Sequence, residues 1–121
     1  MKVHESEEMY LETILRLKDK HGGVHAIDIA GELGYAKSSV SRAVGLLHQR
    51  GYIAIDANDE ITLTAEGLAK ATDVYDRHRV ITELLVRCGA DEALAEENAC
   101  RIEHVISPEL FEILKKFSEN K

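Results

Sequence analysis

Residues 26–64 constrain the fold of this chain most, because their hydrophobic period changes in a fixed order. Ile27, Ala30 and Leu33 fall on one face of a short helix over residues 26–33, and Gly34 turns the chain. A longer helix over residues 37–50 sets Val40, Val44 and Leu47 inward, and Gly51 stops it. Residues 52–55 then read as a strand, 56–59 as a turn, and 60–64 as a second, alternating strand. Short helix, glycine-bearing turn, longer helix and hairpin make a winged helix-turn-helix, with Asn58 at the wing tip. The acids beside Asn58, namely Asp56, Asp59 and Glu60, are poor company for phosphate, so the wing is expected to add little to DNA binding.

The total charge of −7 argues against nucleic acid, but its distribution does not. Between residues 36 and 51 stand Lys37, Arg42 and Arg50 with no acid among them. Lys37, Ser38, Ser39, Ser41 and Arg42 lie outward at the start of the longer helix, where hydroxyls and cations meet phosphates and base edges. An ordinary solvated helix face has the same composition, so the wing that follows is what raises the DNA reading.

The remainder reads as helical. Residues 6–20 form a first helix on Tyr10, Leu11, Ile14, Leu15 and Leu17. Met9 and Glu12 stand three apart near its start; singly, they read as core filler and a solvated acid. Thr64 caps a long helix over residues 65–87, whose stripe is Leu68, Ala71, Tyr75, His78, Ile81 and Leu85. His78 therefore faces inward, where a histidine bonded to a carbonyl is the bland expectation. Asp91 caps a fifth helix. Ser107-Pro108-Glu109 starts a sixth, with Leu110, Ile113, Leu114 and Phe117 on one apolar face. Three such stripes exceed what a 121-residue monomer covers, which implies a dimer.

The fifth helix carries Cys100, Glu103 and His104 at i, i+3 and i+4, which aligns a thiol, a carboxylate and an imidazole. These are common donors to a divalent transition metal, though the spacing alone is equally that of an ordinary helix rim. No run approaches the roughly 20 apolar residues of a membrane span. The first eight residues lack a signal-peptide pattern, and the two cysteines lack disulfide-framework spacing, so a cytoplasmic location is expected. No nucleophile, acid and base constellation accompanies the metal donors, so the chain does not read as an enzyme.

Residues 8–12 before a winged helix, His78 late in a long helix, and the run from Cys100 to His104 occur here together. In that combination the chain resembles the diphtheria toxin repressor and manganese transport regulator family of metal-dependent transcriptional repressors, in its short, two-domain form. The resemblance implies a winged helix-turn-helix DNA-binding domain over 1–70 and a metal-binding and dimerisation helical domain over 71–121. It implies that Met9, Cys100, Glu103 and His104 match a regulatory metal site of the iron-responsive branch. Glu12 and His78 match ligand positions of the manganese-responsive branch. The chain departs from the iron branch's second site, having Glu96 where that site has a histidine and Thr82 where it has a glutamate. Glu83 stands one residue on, about 100° around the helix.

A thioether and a thiolate are soft donors, so iron(II) is expected first and manganese(II) second, with cobalt, nickel or zinc binding in vitro. The expected partners are double-stranded operator DNA and a second copy of the chain, with no membrane and no small-molecule substrate. Two alternatives stay open: a metal-independent winged-helix regulator sensing oxidants through Cys88 and Cys100, and a metal-binding protein with no DNA role.

Overall fold

The structure, a computed structural model, describes residues 3–120. It contains α1 (Val3–His21), α2 (Ala26–Leu33), α3 (Lys37–Gln49), β1 (Ile53–Ile55), β2 (Ile61–Leu63), α4 (Ala65–Arg87), α5 (Glu92–Ile102) and α6 (Pro108–Glu119). The chain forms two compact units, Met1–Thr72 and Asp73–Lys121. Among the described residues no helix is long and apolar enough to cross a membrane.

The first unit is built on one apolar core. Tyr10, Leu11, Ile14 and Leu17 of α1 meet Ile29, Val40, Val44 and Leu47 there, closed by Ile53 and Ile61 of the hairpin. The strands pair antiparallel, Ile53 opposite Leu63 and Ile55 opposite Ile61. Val24 adds a single bridge to Ile61, with Ile61 N–H donating to Val24 O at 2.7 Å. One paired residue has no period, so it leaves no trace in the hydrophobic pattern.

Two joints set the direction of α3. Gly34 ends α2 at φ 72°, the left-handed region that glycine enters without penalty, and turns the chain into α3. At the far end Thr64 caps α4: its Oγ1 accepts from Gly67 N at 3.1 Å and donates to Gly51 O at 2.7 Å. Gly67 lies so close to the hairpin that a Cβ there would stand 1.9 Å from Tyr52 O. At the wing tip Asp56 Oδ1 accepts from Asn58 N and Glu60 N at 2.8 and 3.0 Å, so that acid shapes the turn.

Two faces differ from the sequence expectation. In α2, Ile29 is buried and Ile27 is 59% exposed. Eight residues make little more than two turns, too few to fix the phase of a stripe when isoleucines occur two apart. In α4, Ala71, Val74, His78, Ile81 and Leu84 are buried, whereas Leu68 and Tyr75 are exposed. That helix begins in one unit and ends in the other, so no single stripe serves its whole length.

In the second unit Val80, Leu84 and Phe111 form a core, with Ile106 and Leu114 packed against it. Asp91 caps α5 by accepting from Leu94 N at 2.8 Å, and Ser107 caps α6 by accepting from Leu110 N at 3.2 Å. Arg87 holds the other end of α6, donating to Ser118 O and Asn120 O at 3.1 and 3.2 Å.

Candidate functional site

The outer face of α3 carries Lys37, Ser38, Ser39, Ser41 and Arg42, all exposed, while Val40, Val44 and Leu47 fill the core behind them. Among the described residues no hydrogen bond or ion pair engages those five side chains. Ala36 offers α3 no side-chain cap and its first turn holds no acid, so its leading N–H groups and the helix dipole face outward. Hydroxyls, two cations and a bare helix start form a surface suited to an anionic backbone.

The third cation of this stretch is already spent. Arg50 pairs with Glu7, a carboxylate 4% exposed in α1, and Lys70 stands 3.6 Å from the same carboxylate. Arg50 therefore ties the end of α3 to α1, which leaves Lys37 and Arg42 as the cations of the exposed face at the start of α3. A partner 43 residues away is invisible to a local charge count.

The second unit assembles a different chemistry. Glu103 is fully buried at the C-cap of α5. Its Oε2 lies 2.8 Å from Nδ1 of His78, which is buried on α4. Its Oε1 finds no hydrogen-bond partner among the described residues and stands 3.4 Å from His104 Nε2. The bland expectation for His78 is a carbonyl partner; the structure gives its Nδ1 a carboxylate. One donor atom each from His78, Cys100 and Glu103 lies within 4.8 Å of the others. Cys88 and Cys100 are both exposed thiols.

Helix α5 stops at Ile102, sooner than the spacing of Cys100, Glu103 and His104 implies. Glu103 keeps helical angles, φ −59° and ψ −26°, so its register with Cys100 holds, but His104 lies in a turn. Ser107 must become extended ahead of Pro108 and cap α6, which draws the preceding residues out of the helix.

These residues fit a divalent cation. Burying a carboxylate is costly unless both oxygens are served, and one oxygen of Glu103 is not. The three donors lie within 4.8 Å of one another, near the separation set by one ion with bonds of about 2.0–2.3 Å. Imidazole, thiolate and carboxylate together suit a first-row metal.

The other two expected metal ligands belong to the first unit. Glu12 is buried and bonded to Arg16 Nη2 at 2.6 Å. Met9 is half-buried, and its sulfur accepts from the Tyr35 hydroxyl at 3.8 Å. Tyr35 was not among the residues singled out from sequence. A lone tyrosine in a turn has no periodicity to mark it, and only the fold brings it to Met9.

Two family models account for nearly all of the chain. The model described as "Iron dependent repressor, N-terminal DNA binding domain" matches residues 2–58, and "Iron dependent repressor, metal binding and dimerisation domain" matches residues 64–120. An uncharacterized HTH-type transcriptional regulator of Methanocaldococcus jannaschii is 37% identical over 117 residues, covering 95% of this chain and 94% of that one. The diphtheria toxin repressor of Corynebacterium diphtheriae is 31% identical over 121 residues, covering 96% of this chain. The match spans only 54% of that repressor's own length. Among solved structures, the manganese regulator SloR superposes with a TM-score of 0.82 at 26% identity, over 95% of this chain and 54% of that one.

Proposed function

The chain belongs to the diphtheria toxin repressor and manganese transport regulator family of metal-dependent transcriptional repressors, and we propose that it binds operator DNA as a homodimer when loaded with iron(II), with manganese(II) the second choice. The observation that carries this reading is Glu103: fully buried, bonded to His78, and left with one unspent oxygen.

His78, Cys100, Glu103 and His104 would hold the cation. Met9 and Glu12 join this ligand set on family resemblance. When bound, the ion supplies positive charge to a set of carboxylate, thiolate and imidazole donors. Glu103 would commit its second oxygen, and Cys100 would give up its thiol proton. Linkage requires the DNA-competent arrangement to hold the ion more tightly than the metal-free ensemble does. In a dimer that arrangement would space two α3 helices by about one DNA turn, roughly 34–36 Å. We assign residues 1–70 to DNA binding and 71–121 to metal binding and dimerisation. The deciding experiment is DNA binding across a panel of divalent metals, with metal stoichiometry measured alongside. Equal DNA affinity with and without every metal would overturn the reading.

Arg42→Ala is expected to weaken operator binding by about 1–3 kcal/mol if the side chain reads a base, and to leave metal affinity unchanged. Operator and random duplexes titrated in parallel check this: a loss confined to the operator assigns a base contact, and an equal loss assigns a phosphate contact. Unchanged affinity for both duplexes would remove Arg42 from the interface.

Metal choice follows ligand softness. Cys100→Ala should weaken the iron(II) response more than the manganese(II) response, and Glu12→Ala should do the reverse. Anaerobic metal-dependent DNA binding keeps the iron divalent and the thiol reduced. Equal losses for both metals in both variants would mean that one mixed site serves both ions.

A further inference from the structure

Tyr35 occupies the turn between α2 and α3, one residue ahead of Ala36, the N-cap of the DNA-facing helix. Its backbone is pinned, since Gly34 N and Tyr35 N both donate to Ala30 O, at 2.8 and 3.3 Å. Its ring meets buried Tyr10 edge-on, with centroids 6.3 Å apart and planes at 61°. Burial, and then Tyr35 itself, raises the pKa of Tyr10 above the usual tyrosine value, so Tyr10 stays a neutral wall for that ring. With backbone and ring held, the hydroxyl is what remains to choose a partner. It donates to Met9 Sδ at 3.8 Å, a reach suited to a large, weakly accepting sulfur.

We propose that Tyr35 is a positioning residue that competes with the metal ion for Met9: its hydroxyl holds the thioether in the metal-free protein and relinquishes it when the sulfur enters the coordination shell. This rests on the reading of Met9 as a ligand. A thioether that donates one lone pair to a cation becomes a poorer acceptor through the other. The hydrogen bond and the metal bond are therefore antagonistic, and the penalty is reciprocal. The exchange takes place at the entry to α3, so metal occupancy reaches the DNA-facing helix through one side chain of the same unit.

Tyr35→Phe keeps the ring against Tyr10 and deletes only the donor, while Met9→Leu keeps the volume and deletes only the sulfur. Two readouts need no DNA: the methyl carbon resonance of Met9 in metal-free protein, and metal affinity by competition with a chromogenic chelator. Tyr35→Phe should shift the Met9 methyl resonance and tighten metal binding by about threefold, the size expected for losing one weak competing hydrogen bond. Met9→Leu should weaken metal binding by about tenfold or more, and adding Tyr35→Phe to it should then change nothing further. If Met9→Leu weakens binding while Tyr35→Phe leaves it unchanged or weaker, Tyr35 is not a competitor and the proposal fails alone. If Met9→Leu leaves metal affinity untouched, Met9 is no ligand, and the underlying assignment fails with the proposal.

Discussion

Glu103→Gln should lower affinity for the activating metal by about a hundredfold or more while leaving the metal-free protein as stable as before. The substitution preserves shape. The amide oxygen still accepts from His78 Nδ1, and the amide nitrogen faces His104 Nε2, which lies 3.4 Å from the oxygen it replaces. What disappears is a negative charge that the fold has buried completely. In the metal-free protein that charge is a cost, so removing it should hold or raise the unfolding temperature. With metal it is a ligand, so removing it should abolish metal-dependent operator binding at ordinary metal concentrations. Chelator competition and thermal unfolding of metal-free protein separate the two effects. Were Glu103 only the partner of a protonated His78, the substitution would instead destabilise the metal-free protein by roughly 3–5 kcal/mol. That loss, with metal affinity unchanged, would remove the metal assignment.

The second large effect is expected at α6. Phe111 packs inward on Val80 and Leu84, whereas Leu110, Ile113 and Phe117 are 48%, 63% and 61% exposed along the opposite face. Three large apolar groups at i, i+3 and i+7 make a continuous stripe. The match of residues 64–120 to a metal binding and dimerisation domain supports a second copy of this chain as the cover for it. Ile113→Asp would place an unpaired carboxylate in that contact at a cost of several kcal/mol, while the folded protomer would lose little because the position is exposed in it. Sedimentation equilibrium should show monomer at concentrations where the parent is dimeric. Operator affinity should fall by about a hundredfold or more, since two half-sites would no longer bind as one. An unaltered dimer, with or without metal and DNA, would place the interface elsewhere.

Much of this architecture was legible in the residues, for local reasons. Thr64, Asp91 and Ser107 cap the helices they precede because a side-chain oxygen reaches an N–H only three residues on. The exposed face from Lys37 to Arg42 followed from the period of Val40, Val44 and Leu47, which are buried together. The union of Cys100 and Glu103 followed from one helical turn, which survives the end of α5 because Glu103 keeps helical angles. Where two stripes compete, as with Ile27 and Ile29 in α2, the period is degenerate and packing chooses between them.

Helical phase is set by neighbours within a few residues, and the sequence by itself determined what depends on it: a winged helix-turn-helix, four further helices, and a thiol and carboxylate sharing a face. Tertiary structure alone decided how the polar groups are spent. Glu7 neutralises Arg50 across 43 residues, Glu103 finds His78 across 25, and Tyr35 finds Met9 across 26. Each pairing depends on where chain closure brings two helices or a turn together, and on burial making an unserved charge too costly to leave alone. No local pattern carries that information, because the same glutamate in a solvated helix would need no partner at all.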